Sequence, residues 1–428
     1  MSRQFDIIIV GAGAIGATMA SVLLARKQVA RERIAVIGDR LPARGAASMP
    51  DAPPTAMSAA APTLHAALTQ DWDLRVFALS RASQRLLELG GIWPMVPPGR
   101  KFAYERMCVW DAGGTPRGAG SLTFDCAEIG QPNLGHIVDG RLLTASCLNA
   151  AAAAGATLIE GSLQAIQIHD AEARVRLEDG RDLAAKLVIA ADGTASKTRE
   201  LLGIETAGHA YHQQALVAHV RTAVSHRNTA WQRFLPGGPL AFLPLSDGRS
   251  SIVWSVATEE AQRLRALDAA GFCAALEEAS GGCLGALELT TALAAFPLSL
   301  AYALEYVRPR AVLIGDAGHA VHPLAGQGLN LGLLDCATLA QVLGEAGSDA
   351  DTLGDYRQLR SYERRRKSEN LMAATALDGL ERLFASGDAG LARLRMLGLG
   401  AVERMPFVKR NLARRALGLA GDVPEFLR

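Results

Sequence analysis

The feature that most constrains this chain is the triplet Gly11-x-Gly13-x-x-Gly16, set between the apolar run 5–10 (FDIIIV) and an alanine-rich segment of helical spacing, 14–26. In that context the glycines open a βαβ unit. Gly11 permits the tight turn, Gly13 lets a pyrophosphate approach the backbone, and Gly16 lets the helix pack on the strand. The helix start then offers unpaired N–H groups and a positive dipole end to phosphates. Residues 34–37 (IAVI) follow as the second parallel strand. The ribose-binding acid belongs at its end, about 20 residues into the motif. Gly38 stands there instead, and Asp39 follows 28 positions beyond Gly11. We read Asp39 as the ribose acceptor; a solvated turn is the other reading. Alone, the triplet does not separate NAD from FAD.

Bulk properties narrow the rest. The chain has 428 residues, room for two or three globular layers, and its 44 basic and 43 acidic residues leave no global field for nucleic acid. Six scattered cysteines lack metal-ligand spacing and read as reduced thiols, so a cytoplasmic location and no metal site are expected. No signal-peptide pattern precedes the first strand, and no run reaches the ~20 apolar residues of a membrane span. Residues 41–66 show no clean period and read as a surface insertion. Helical spacing is expected over 78–89, 141–154, 259–280 and most of the chain after 329. A hairpin turning at Asp179-Gly180 is expected over 172–183, and β-strands over much of 103–126 and 215–256.

Two further motifs point to the cofactor. LVIAADGTASKTR (187–199) is a buried strand ending in Asp192-Gly193, with Ser196 and Arg199 beyond. RAVLIGDAGHAVHPLAGQGLNLGLLDCATLA (310–340) ends a strand in Gly315-Asp316 and enters a helix through Pro323, Gly326, Gln327, Gly328 and Asn330. A carboxylate at a strand's carboxyl end can accept from a ribityl hydroxyl. A helix start after Gly326 can place N–H donors at a flavin carbonyl. An NAD dehydrogenase would carry only the first motif.

The three motifs together resemble the single-component flavin aromatic hydroxylases, the group of para-hydroxybenzoate hydroxylase. They are closer still to the ubiquinone-biosynthesis hydroxylases of the UbiH, UbiF and UbiI type. DLRVFALSRASQRLLELGGIW (73–93), LGHIVDGRLL (134–143), HRNTAWQRFLPGGPLAFLPLSDGRSSIVWS (226–255) and YERRRKSENLMAATALDGLERLF (362–384) carry the likeness through nearly the whole chain. It implies an α/β architecture, with a Rossmann-like FAD-binding domain, an inserted β-rich substrate domain and a helical C-terminal region. The expected division gives the FAD-binding domain 1–94, 134–205 and 301–345, and the substrate domain 95–133 and 206–300. The helical region is 346–428.

The resemblance further implies Gly11, Gly13, Gly16, Asp192, Asp316, Gly326, Gly328, Leu329 and Asn330 as FAD-site positions, with Arg75 nearby. Ser196 and Arg199 are expected to assist docking of NADPH or NADH, since no second GxGxxG is present. The implied activity is ring hydroxylation of a polyprenylated phenol by a flavin hydroperoxide, with dioxygen as co-substrate. Pro323 is the candidate for fixing the flavin edge and His322 for acid–base work; His319 is a second histidine in that loop. In PLAFLPL (239–245), Leu240 and Phe242 share a face that we read as bordering the substrate, with plain sheet core as the other reading.

The tail 391–428 carries eight Lys/Arg against Glu403, Asp422 and Glu425, with leucines at roughly helical spacing. Two readings stay open for it. One is an interfacial helix at the inner face of a membrane; the other is a helix packed on its own domain, on a second copy or in a ubiquinone-synthesis complex. Two other functions compete with hydroxylation: a related FAD-dependent reductase or oxidase, and a flavoprotein scaffold of a lipid-synthesis complex.

Overall fold

A computed structural model of the protein describes residues 3–39, 41, 71–118, 120–321, 326–345, 352–385 and 388–428. The expected insertion, Leu41 apart, and both Pro323 and His322 lie outside the described residues. The strands are β1 (Arg3–Val10), β2 (Ile34–Gly38), β3 (Val76–Leu79), β4 (Lys101–Tyr104), β5 (Arg106–Asp111), β6 (Ser121–Asp125) and β7 (Gly135–Asp139). They continue as β8 (Thr157–Glu160), β9 (Leu163–Ile168), β10 (Ala173–Leu177), β11 (Asp182–Ala190), β12 (Thr206–Thr222), β13 (Thr229–Leu235) and β14 (Gly238–Pro244). The last are β15 (Ser250–Ala257), β16 (Leu287–Leu289), β17 (Ala294–Ala303), β18 (Val307–Arg308), β19 (Ala311–Leu313) and β20 (His319–Ala320). The helices are α1 (Ala14–Ala25), α2 (Arg81–Leu89), α3 (Gly140–Ala154), α4 (Lys197–Leu201) and α5 (Thr258–Arg265). Then come α6 (Ala269–Ser280), α7 (Gln327–Glu345), α8 (Tyr356–Ala385), α9 (Ala389–Glu403) and α10 (Pro406–Ala416).

β19, β11, β1, β2 and β8 run parallel, in that order, at the centre of the first sheet. Ile7, Ile8 and Ile9 are fully buried, because β1 is covered on both sides. Ile7 and Ile9 face α1, α3 and α7; Ile8 faces a layer that β9 and β10 build by folding back on β11. The second sheet, β20-β17-β12-β15-β14-β13-β5-β6 with β16 on β12, is mostly antiparallel. A small sheet β3-β7-β4 stands apart from both. The α/β architecture with an inserted β-rich part and a helical C-terminal region is the one expected.

Two expectations need correction. Residues 76–79 form strand β3, pairing with β7, and the helix begins only at Arg81. Val76 and Phe77 suit a strand, and the Ser80 side chain accepts from Ser83 N as an N-cap, which fixes the helix start. Residues 259–280 are two helices, because Asp268 caps a new start at α6 by accepting from Gly271 N.

The 30-residue helix α8 touches both large sheets. At one end the Tyr362 hydroxyl donates to Leu313 O of β19 and a Glu363 carboxylate oxygen accepts from Tyr306 N. At the other, Glu381 accepts from Gln213 of β12, and Phe384 stacks on Phe234 of β13 at 4.0 Å.

Candidate active site

The carboxyl ends of the parallel strands meet at α1. Gly11 has φ +118, and a Cβ there would sit 2.2 Å from Ala191 O; one on Gly16 would sit 2.0 Å from Gly11 O. Both positions therefore require glycine. Gly13 is the N-cap of α1 with no side-chain cap, and a Cβ on it would meet nothing within 4 Å. Open space over uncapped N–H groups suits a pyrophosphate. The structure also explains the displaced acid. A Cβ at Gly38 would lie 2.4 Å from the Ala12 Cβ, so no side chain fits there and the carboxylate falls to Asp39, which is exposed.

Asp192 is spent locally. Its Oδ1 accepts from Ser196 Oγ at 2.5 Å, and its Oδ2 accepts from the Thr198 backbone and hydroxyl, both at 2.9 Å. Ser196 is buried and caps α4 by accepting from Arg199 N. The Arg199 guanidinium donates to Thr194 O and Ala317 O, each at 2.9 Å, tying the Asp192 loop to the Asp316 turn. Ser196 and Arg199, expected to assist nicotinamide docking, thus brace these two loops.

Asp316 stands differently. It lies half-buried in the 3-10 turn Gly315–Ala317 that follows β19, and its carboxylate has no hydrogen-bond partner among the described residues. Burial pushes its pKa up, while His319 and Arg75 pull it down. Arg75 is exposed, lies over the Phe77 ring at 5.0 Å, and is close enough for its charge to act on Asp316. An unpartnered carboxylate beside open helix starts is a fitting acceptor for ribityl hydroxyls.

Asn330 acts as a pin. Its Oδ1 accepts from Ser80 N at 2.8 Å and Ser83 Oγ at 2.7 Å; its Nδ2 donates to Ala78 O at 2.8 Å and Gly326 O at 3.0 Å. With four bonds made, the amide has nothing left for a ligand. It holds the start of α7 on β3, where Gly326 has φ +63 and packs against Ala78. Gly328 and Leu329 follow within the first turn of α7, whose backbone N–H groups have no partner inside the helix.

Sequence reasoning missed the group beneath the turn. Asp335 of α7 is fully buried; its Oδ2 accepts from Gly315 N at 2.9 Å and lies 2.5 Å from His319 Nε2. Its Oδ1 accepts from Arg366 Nε at 2.8 Å and Asn370 Nδ2 at 3.0 Å. Burial opposes its charge, yet His319 and Arg366 hold Asp335 at about 2. The available signal was an acid inside the apolar stretch LGLLDCATLA.

The substrate wall is also corrected. Leu240 and Phe242 are at most 1% exposed and pack with Phe272 and Leu276 of α6 in the second sheet's core. The opposite face carries Ala241 and Leu243, both half-buried. Leu243, like Val76, Ala78 and Tyr104 of the small sheet, packs against the buried cluster of Trp72, Ile137 and Leu245. Beside them an apolar pocket is lined by Ala78, Tyr104, Met107, Phe124, Leu134 and Leu417, and it reaches Gln327 and Asn330 at the start of α7. Burial pushes the Tyr104 phenol up to about 12.

Taken together, these strand ends, helix starts and the adjoining apolar wall define a FAD-dependent monooxygenase. Solved structures share the fold: p-nitrophenol 4-monooxygenase PnpA of Pseudomonas putida superposes with TM-score 0.74 over 99% of this chain and 100% of its own, at 17% identity. PqsL of Pseudomonas aeruginosa gives 0.71 over 93% and 100%, at 23% identity.

The sequence profile described as "FAD binding domain" matches residues 144–375. The chain is 36% identical to the 3-demethoxyubiquinol 3-hydroxylase of Escherichia coli, covering 81% of this chain and 88% of that one. It is also 36% identical to ubiquinone hydroxylase UbiL of Rhodospirillum rubrum, over 98% and 91%. With the human ubiquinone biosynthesis monooxygenase COQ6 it shares 33%, over 81% and 82%. The chain belongs to the family of FAD-dependent aromatic monooxygenases of ubiquinone biosynthesis.

Proposed function

We propose that this protein hydroxylates the aromatic ring of a polyprenylated phenol intermediate of ubiquinone biosynthesis, with NADPH or NADH as reductant. The observation that carries this reading is the unpartnered Asp316 carboxylate, in a turn whose Gly315 packs on Ile15 in the first turn of α1, beside the open helix start at Gly13. When bound, FAD activates dioxygen and delivers one oxygen atom to the ring. The chain's residues bind and orient. Gly11, Gly13 and Gly16 shape the pyrophosphate seat and Asp39 accepts from the ribose. Asp316 accepts from the ribityl chain, and the first-turn N–H groups at Gly328 and Leu329 face the flavin pyrimidine. Asp192 acts at one remove, by fixing its loop. Arg75 supplies positive charge at the crevice. Pro323 keeps its proposed role of fixing the flavin edge and His322 that of acid–base group.

Leu243, Ala78 and Met107 exclude water from the ring, which protects an oxygen-transferring site from wasteful discharge. Tyr104 remains protonated at neutral pH and donates a hydrogen bond to the substrate's ring oxygen. The division of the chain given above fits the same reading, because the parallel sheet and the antiparallel sheet carry the two binding surfaces. The test is turnover with labelled dioxygen: the product gains one labelled oxygen as reduced nicotinamide is consumed. A deletion strain is expected to lose ubiquinone and accumulate the unhydroxylated precursor. Reduction of substrate without label would overturn the proposal in favour of a reductase.

A further inference from the structure

The helices α9 and α10 are fastened to the protein by one side only. On the inner side Arg395 pairs with Asp111 at 2.7 Å, and Lys409 pairs with Glu128 at 2.9 Å and Glu403 at 3.0 Å, all three ion pairs involving a buried cation. The Glu403 carboxylate also accepts from Thr123 N of β6. Ala413 and Leu417 are buried. The outer side is the reverse in every respect. Leu394 is 63% exposed, Leu397 71%, Met405 51% and Phe407 73%, with Leu391 continuing the stripe one turn earlier. Arg393, Arg404, Arg410 and Arg414 border this stripe, exposed and with no hydrogen bond or ion pair to their guanidinium groups among the described residues. Each inward cation is matched and the outward ones are not.

We propose that this outer face of α9 and α10 docks on an anionic phospholipid surface. A helix pair with bulky apolar tips along its crest and arginines at the flanks fits the boundary between headgroups and acyl chains. The tips enter the acyl edge and the guanidinium groups meet lipid phosphates. The apolar tips continue from α9 onto the first turn of α10, and the exposed side chains that border them, Arg393, Arg404, Arg410 and Arg414, are all cationic, which matches a layer of lipid phosphates. Ala413 and Ala416 of α10 and its C-cap Leu417 line the apolar pocket, so docking sets that pocket beside the lipid. A molecule with an isoprenoid tail then reaches the protein without crossing water.

The experiment is co-sedimentation of the full FAD-loaded chain with vesicles, read without turnover. Phosphatidylglycerol–phosphatidylethanolamine vesicles are expected to carry the protein down, and phosphatidylcholine vesicles to leave it in solution. Arg410→Glu with Arg414→Glu is expected to weaken binding at least tenfold, as is Phe407→Ser. Flavin content and melting temperature of these variants are expected to match the parent. Equal sedimentation on both vesicle types, or unchanged binding of the arginine variant, overturns the proposal. A dimer that Phe407→Ser abolishes, with no vesicle binding, also overturns it and assigns the face to a second copy.

Discussion

Asp335→Ala is the most demanding perturbation of this site. The substitution leaves the Arg366 guanidinium, 2% exposed, without its carboxylate, strips His319 Nε2 of its acceptor, and frees Gly315 N in the interior. Removing one partner of a buried ion pair costs about 3–5 kcal/mol. Leaving the Gly315 donor unsatisfied adds roughly 1–3 kcal/mol. The expected loss is therefore at least about 3 kcal/mol in urea unfolding followed by tryptophan fluorescence. Flavin should be lost as well, because the freed turn carries Asp316. Arg366→Leu removes the cation instead, and the Asp335→Leu/Arg366→Leu pair should cost clearly less than the two singles added together, since no lone charge remains. The pH dependence follows from the same group. Its folded value of about 2 lies below the ordinary 3.8, so its contribution is full above about pH 4 and fades as pH falls through about 2. Asp335→Asn should flatten that fall. Asp335→Ala unfolding within about 1 kcal/mol of the parent, or strict additivity of the pair, would refute the reasoning.

Three other outcomes are expected. Asp316→Ala should purify with at least tenfold weaker FAD retention, and Asp316→Asn with a smaller loss; a fully yellow alanine variant counts against the carboxylate's role. Gly38→Ala should cost about 1–3 kcal/mol by overpacking against Ala12, and Ala12→Gly in the same chain should restore both stability and flavin content. Tyr104→Phe should raise KM about five- to tenfold with little change in kcat or melting temperature, the loss of one hydrogen bond to substrate. An unchanged KM removes Tyr104 from the substrate site.

How far the site could be read from the residues depended on the range of the interactions. β1, β2, β11 and β19 were legible because strands buried on both faces are written as unbroken apolar runs. The glycine loop was legible because its constraints are local. Strand β3 was missed because Val76–Leu79 runs straight into a helix, and only its pairing with β7 makes it a strand. Period two correctly joined Leu240 to Phe242 but cannot say which face meets a cavity; α6, thirty residues on, takes that face. The bracing bonds of Arg199 to Ala317 and of Asn330 to Ser80 were hidden because the partners are distant in sequence, whereas Ser196 braces locally, onto Asp192. The Asp335 cluster required α8, whose Arg366 and Asn370 are brought in only by the fold.

The long helix α8 gives the molecule an unusual mechanical property. At thirty residues it spans about 45 Å, gripping the turn beneath Asp316 near one end and strands β12 and β13 near the other. The proposed cofactor seat and the sheet that carries the proposed substrate wall thus hang from one rod, and a slip of a single turn at either grip would displace one relative to the other by about 5.4 Å. Alignment of ring and flavin is then a property inherited along a backbone. Surface changes near Phe384, which touch neither ligand, should disturb the yield of hydroxylated product relative to peroxide before they disturb binding.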